Sequence, residues 1–313
     1  MTQETTTFPP DLSELSRGQL LTALRDIGTE LGFAEPLGRS HAGIFVEEGD
    51  TLFVSFETMS GIETLSPTRT PLGFDMLKRH GWSSLTLISR GDTWFRDPRV
   101  YGFFDQLLDD GFFDEFEQVI FYGAGPCGYA AGAFSVAAPG AKVVMLQPQA
   151  TLDPRVTEWD ERFVEHRRLD FTSRYGFAPD MIDAAEQAHV FYDPRERFDA
   201  MHSALYERRN VSRHRMPYMG PALQGDMLSL GLLHQILEQV ANDSFTPASF
   251  AKMMRIRRKH MPYLRRLLSD VDKMERPELA KMICSNVVSR MKAPRFRRRL
   301  AQMQAAEEAA RDA

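Results

Sequence analysis

The order of elements predicts an α/β protein: a mostly parallel, doubly wound sheet followed by a C-terminal helical appendage. Three observations carry this. Short apolar, β-rich runs alternate with helical stretches over residues 43–240. A glycine-rich turn joins one such run to a helix at 123–128. The charge reverses sign near residues 242–246.

In chain order, residues 16–31 read as an amphipathic helix with Leu20, Leu24, Ile27 and Leu31 on one stripe. Residues 43–46 and 51–56 are short strands around Glu48-Gly49-Asp50, a hairpin signal and so an antiparallel edge. Residues 73–80 form a helix that Gly81 ends, and 85–88 a strand. A helix over 100–108 brings in Phe103 and Phe104, followed by a strand at 119–122. Residues 126–137 are helical and rich in small side chains, and 143–146 is a strand. The stretch 151–187 interrupts the alternation and carries Trp159, Phe163, Phe171, Tyr175 and Phe177. It reads as an inserted cap over a site or as a peripheral loop packing its aromatics on the body. A strand at 190–192, a helix at 195–206, a strand at 211–218 and a long apolar helix at 227–240 complete the body. Strands alternating with helices call for crossover connections and a sheet covered on both faces.

The boundary is read from charge. Residues 1–251 hold 21 basic and 36 acidic side chains, a net of −15. Residues 252–300 hold 16 and 4, a net of +12, and the last thirteen add −2. The division is therefore a body over 1–243, with 151–187 as the cap insertion, and a basic helical tail over 244–313. Thr246-Pro247 offers a cap hydroxyl and a proline at the first helical position. Pro262, Pro277 and Pro294 stand where further helices begin, giving three or four short helices and a polar, alanine-rich end that frays.

Composition narrows the class. The chain has 313 residues, 43% apolar and 26% charged, within the globular range. Mean hydropathy is −0.34 and no apolar run is long enough to span a bilayer. Residues 1–10 lack the basic-then-apolar order of a signal peptide, so a cytoplasmic location is expected. Two cysteines build neither a disulfide framework nor a zinc site by themselves. No H-E-x-x-H, C-x-x-C, EF-hand or Walker pattern occurs, so no metal and no cofactor is expected.

The turn Tyr122-Gly123-Ala124-Gly125-Pro126-Cys127-Gly128-Tyr129 carries the most chemistry. Backbone amides at the start of its helix suit an anion or a developing oxyanion. Gly123, Gly125 and Gly128 satisfy G-x-G-x-x-G, which admits a nucleotide- or NAD-binding reading. The acidic residue that fingerprint needs after the next strand is replaced by Gln147 and Gln149. Cys127 sits in the first turn of the helix, where the macrodipole favours a thiolate, and this admits a cysteine-dependent acyl transferase or hydrolase. A nearby histidine could serve as its base, and His41, His80, His166, His189, His202 and His214 all lie in the body. The same thiol also reads as a small buried residue packed between helix and strand.

Over about residues 40–240 the chain resembles the α/β-hydrolase superfamily. Members carry G-x-S-x-G on a strained strand-to-helix turn, the nucleophile elbow, in a longer form Tyr-Gly-Ser-Ser-Met-Gly-Gly-Tyr. Tyr122, Gly123, Gly128 and Tyr129 match its flanks. The resemblance places the nucleophile on Gly125, which has no side chain, and Cys127 on a later glycine. It places the acid on Asp193, after the 190–192 strand. It places the histidine after the 211–218 strand, where the chain reads Met219-Gly220-Pro221-Ala222-Leu223-Gln224. It places the oxyanion loop after the 51–56 strand, so amides near Ser60 and Gly61 complete an anion pocket. The resemblance thus implies a divergent hydrolase-like fold without nucleophile or histidine, a pseudoenzyme that keeps a ligand- or anion-binding cleft lined by Gly123, Gly125, Gly128, Ser60, Gly61, Gln147 and Gln149. If any chemistry remains, Cys127 and Asp193 are its candidates. Similar sequences are labelled phosphoadenosine phosphosulfate reductase. That sulfonucleotide chemistry needs Ser-Gly-Gly-x-Asp-Ser and Cys-Gly-Leu-His, and neither occurs here.

Two further segments stay open. Residues 90–97 combine charge with Trp94 and Phe95 at the end of a strand, and read as a ligand loop or as a loop anchored by Trp94. In the tail, 255–260 and 295–299 are strongly basic. Without a nucleic-acid reading motif, the tail is expected to dock on the acidic body of its own chain, a second copy making a homo-oligomer, or a protein partner. Nucleic acid and membrane are disfavoured.

Overall fold

The computed structural model describes residues 8–311, so residues 1–7 of the segment read for a signal peptide lie outside the described residues. Its centre is one eight-stranded sheet: β1 (Gly32–Leu37), β2 (His41–Val46), β3 (Thr51–Thr58), β4 (Ser83–Ser89), β5 (Gln118–Ala124), β6 (Lys142–Leu146), β7 (Gln187–Tyr192) and β8 (Val211–Arg215). The spatial order is β1-β2-β4-β3-β5-β6-β7-β8. β2 runs antiparallel to both β1 and β4, and every pair from β4 to β8 is parallel. Helices connect the parallel strands and cover both faces, as parallel pairing requires. β3, β4, β6 and β7 are buried along nearly their whole length.

The antiparallel edge is present, but the hairpin is a different one. Strands β2 and β3 do not pair; β4 lies between them. The turn at Glu48-Gly49 is instead held by Ser83, whose hydroxyl accepts from both amides and donates to the Gly49 carbonyl. The true hairpin joins β1 to β2, with Gly32 opposite Val46 and Leu37 opposite His41. Pro36 obscured β1 in the sequence, and an edge strand tolerates a proline because its outer amides need no ladder partner. The helix read as 227–240 is two helices, Leu223–Ser229 and Leu232–Ala241, broken where Gly231 takes φ +65°. The last strand stops at Arg215, and Pro217, lacking an amide hydrogen, follows in the loop.

One core lies under the Pro98–Asp109 and Pro126–Phe134 helices and is dominated by stacked phenylalanines, with Phe104 and Phe134 centroids 4.6 Å apart. A second core lies on the other face and is shared with the tail. Phe53, Ile120, Val144 and Phe191 of the sheet pack in it with Tyr263, Leu264, Cys284, Val287 and Phe296. Cys284 is a fully buried core residue. The tail comprises the Pro247–Met253, Met261–Lys273, Pro277–Arg290 and Pro294–Arg311 helices. Thr246 caps the first through the Ser249 amide, and Pro247, Pro262 and Pro277 stand in the opening turns of their helices. Arg266 fastens the tail to the body by donating to the Met219 carbonyl and to Asp226. No described helix is long and apolar enough to cross a membrane.

Candidate functional site

At the C-terminal end of β5 the chain reverses sharply into the Pro126–Phe134 helix. Gly125 makes the reversal at φ 57°, ψ −124°, a backbone that L-residues reach only under strain. Its amide donates to the Leu146 carbonyl at 2.8 Å. The other two glycines answer to packing. A Cβ at Gly123 would collide with the Cys127 carbonyl, and one at Gly128 would press on the Gly123 and Leu146 carbonyls at 3.2 Å. A Cβ at Gly125 would meet nothing within 4 Å. The fingerprint spacing at this turn is thus accounted for by a helix lying close against its strand.

Beside the turn lies a cavity of about 190 Å³ at the carboxyl ends of β3 and β5. Ala124, Pro126 and Cys127 form one wall. Phe56, Glu57 and Thr58 close the end of β3, and Gly61, Ile62 and Leu65 come from the Met59–Leu65 helix. Leu72 and Asp75 approach from the Leu72–His80 helix, Asp92 from the loop after β4, and Gln224 and Leu228 from the Leu223–Ser229 helix.

Glu57 is the dominant polar group. Its Oε1 accepts from the Ser55 hydroxyl and from the Leu72 amide, both at 2.9 Å. Burial raises its carboxyl from 4.5 to about 7; the two hydrogen bonds pull it down and Asp75 pushes it further up. The Cys127 thiol is buried beside it. Desolvation first, then the charges of Glu57 and Asp92, hold that thiol well above the usual range, overriding the helix dipole.

Among the described residues no histidine lines the cavity. His41 meets Thr93 at 2.7 Å, His189 meets His214 at 3.0 Å, and His202 meets Asp160 at 2.9 Å. His80 stacks on Trp82, and His166 packs tilted against Trp94 with ring centroids 4.7 Å apart. His234 Nε2 lies 3.7 Å from Oδ2 of Asp75, a carboxylate of the cavity wall.

Asp193 follows β7 as expected, 1% exposed. Its two oxygens accept from the Arg195 amide at 2.9 Å and the Gly220 amide at 2.7 Å. The loop after β8 is therefore pinned by the carboxylate through its own backbone, at the place the resemblance gives to a histidine. Gly61 reaches the cavity, but its amide is taken by the Thr58 hydroxyl at 2.9 Å, which caps the Met59–Leu65 helix. Ser60 is exposed beside it, its hydroxyl 3.1 Å from that of Thr58.

Gln147 and Gln149 point elsewhere. Gln147 donates to Asp199 and accepts from the Leu223 amide; Gln149 accepts from the Trp94 indole at 3.2 Å and donates to the Gln147 carbonyl. They belong to a buried network with Asp160, Arg162, Asp199 and His202. His202 is saturated, since Nδ1 accepts from the Ala150 amide and Nε2 faces Asp160. Burial alone would raise Asp160, but bonds from His202 and Arg162 hold it well below the carboxylate range. Trp94 is fully buried, so it anchors its loop, and only Asp92 of that loop reaches the cavity. Arg96 donates to the Asp170 and Arg174 carbonyls and to Ser173, and Tyr129 donates to the Tyr175 carbonyl. These bonds lash the 151–187 stretch to the face of the first core, and none of its residues lines the cavity.

Sequence reasoning missed Glu57, Asp75 and Gln224. A carboxylate directly after Phe56, at the end of a buried central strand, was the available signal for Glu57.

No family model matches the chain, and no curated protein matches it. Solved structures do. They include the capsule O-acetyltransferase of Neisseria meningitidis serogroup A, 9% identical over 65% of this chain and 91% of that one, TM-score 0.42. Est1E from Butyrivibrio proteoclasticus is 13% identical over 64% and 95%, TM-score 0.43. Alpha/beta hydrolase domain-containing protein 10 from mouse is 12% identical over 65% and 94%, TM-score 0.42. The fold is α/β-hydrolase-like. That statement rests on the strand order, the single reversed strand β2 and the strained turn after β5, since likeness at these scores adds no weight of its own.

Proposed function

We propose that the chain is a non-catalytic protein of α/β-hydrolase-like fold that binds a small ligand in the cavity beside Gly125. The observation that carries this is a glycine on the strained strand-to-helix turn where acyl-transfer chemistry needs an attacking side chain. Each neighbouring group supports it. The Cys127 thiol is held protonated, without a histidine in the cavity to take its proton. Asp193 spends its oxygens on two backbone amides. The cavity persists nonetheless, walled by apolar and polar groups together, the composition of a binding site. Carboxyls rather than cations face it, so a neutral or positively charged ligand fits better than an anion.

The test is hydrolysis of 4-nitrophenyl acetate and butyrate by the whole protein, with Cys127→Ala and Asp193→Ala beside it. The expected result is a rate equal to that of heat-unfolded protein in all three. Turnover that falls in either variant would overturn the reading, and rapid iodoacetamide labelling of Cys127 at neutral pH would transfer the chemistry to the thiol.

A further inference from the structure

We infer that the cavity beside Gly125 takes a small organic cation: an ammonium group on a compact apolar body, with the Glu57 carboxylate as its counter-ion. The inference rests on the ligand-binding reading above and adds the chemistry of the ligand.

Charge is the first argument. Glu57, Asp75 and Asp92 line the cavity, and no lysine, arginine or histidine does. An anion entering would meet three carboxyls, of which Asp75 has His234 3.7 Å away, whereas a cation would find its partner already buried. Glu57 is the group positioned for this. Two donors, the Ser55 hydroxyl and the Leu72 amide, fix its Oε1, and the carboxyl lines the wall. Ionised without a partner, a carboxylate 9% exposed is costly, and that cost is what lifts its pKa to about 7. An ammonium bound against it removes the cost. The other titrating groups facing it are Asp75, Asp92, Cys127 and Tyr122, none of them cationic.

The donor set is the second argument. The Tyr122 hydroxyl is fully buried behind the cavity wall, with the Gln224 side chain as its hydrogen-bonding neighbour. It neighbours Glu57, Gln224 and Cys127, three residues of the cavity wall. An ammonium brings three donors and no acceptor, which suits a wall whose charged groups are all carboxylates. A chelated metal ion does not fit, because among the described residues no three His, Cys, Asp or Glu side chains converge as metal ligands.

Size and lining are the third. An apolar protein cavity of about 150 Å³ holds benzene. The present 190 Å³ is somewhat larger, so it suits a body of roughly six to nine non-hydrogen atoms. Phe56, Ile62, Leu65 and Leu228 supply the apolar wall for that body.

The test uses three probes of one shape and different charge: phenethylamine, 2-phenylethanol and phenylacetate. Each is titrated calorimetrically into the full chain at pH 8 and low salt. The expected result is binding of phenethylamine at least tenfold tighter than the alcohol, with no heat from phenylacetate. Glu57→Gln brings the amine down to the level of the alcohol, and Asp92→Asn, away from the packed interior, weakens it about threefold. Equal or tighter binding of the alcohol or of phenylacetate would overturn the cation inference and leave the ligand-binding reading standing. Silence with all three probes would overturn both. Amine binding undiminished in Glu57→Gln and in Asp92→Asn would also overturn the inference, since the counter-ions would then be idle.

Discussion

Replacing Glu57 by glutamine tests whether the cavity carboxyl is as strained by burial as its surroundings imply. Glutamine keeps an oxygen to accept from Ser55 and Leu72 but cannot ionise. In the folded chain the carboxyl titrates near 7 instead of 4.5. A group whose folded pKa is raised contributes stability that is complete below the unfolded value and lost as pH rises through the folded one. The difference between 4.5 and about 7 corresponds to roughly 3 kcal/mol. The stability of the wild type relative to Glu57→Gln should therefore fall by about that amount between pH 4.5 and pH 7.5, and stay level above it. Urea unfolding of both proteins at half-unit pH intervals reads this directly. Two curves that run parallel across the interval would refute the reasoning, because the carboxyl would then ionise in the folded chain as freely as in the unfolded one.

Three further outcomes follow from the same geometry. Gly125→Ala should cost about 1–2 kcal/mol, the strain of an L-residue at φ +57° with open space around its Cβ, whereas Gly123→Ala should cost at least twice as much because its Cβ meets the Cys127 backbone; equal losses in urea unfolding would contradict this. His202→Ala leaves the buried Ala150 amide without its acceptor and Asp160 with Arg162 as its remaining partner, and should cost about 1–3 kcal/mol by the same measurement. Asp193→Ala strips the Gly220 and Arg195 amides of their acceptor; a loss of about 2–3 kcal/mol is expected, together with faster proteolytic cleavage in the 216–222 loop.

Much of the sheet is legible in the sequence because parallel strands buried on both faces are written as short apolar runs. Residues 85–88, 119–122, 143–146 and 190–192 each fall within a strand of the sheet. What escaped depended on pairing across the sheet. Nothing local told the 43–46 run that β4 would come between it and β3, nor marked Pro36 as part of an edge strand. The strained turn at Gly125 was legible because strand, glycines and helix are contiguous there. The cavity was not, since its wall comes from five separated segments, and Glu57, Asp75, Asp92 and Gln224 become neighbours only in the fold. The reverse failure holds for Gln147 and Gln149. Their place after β6 suggested the cleft, and only side-chain direction shows that they serve the buried network of Asp199 and Trp94.

The central claim is that this elbow binds and does not acylate. Intact-mass measurement after exposure to excess 4-nitrophenyl acetate at pH 8, followed by rapid acid quench and peptide mapping, tests it most directly. The account predicts no acetyl adduct on any residue lining the cavity, Cys127 included. A stoichiometric acetyl group that forms within the first turnover on Cys127, or on Thr58 or another residue of that wall, would contradict it.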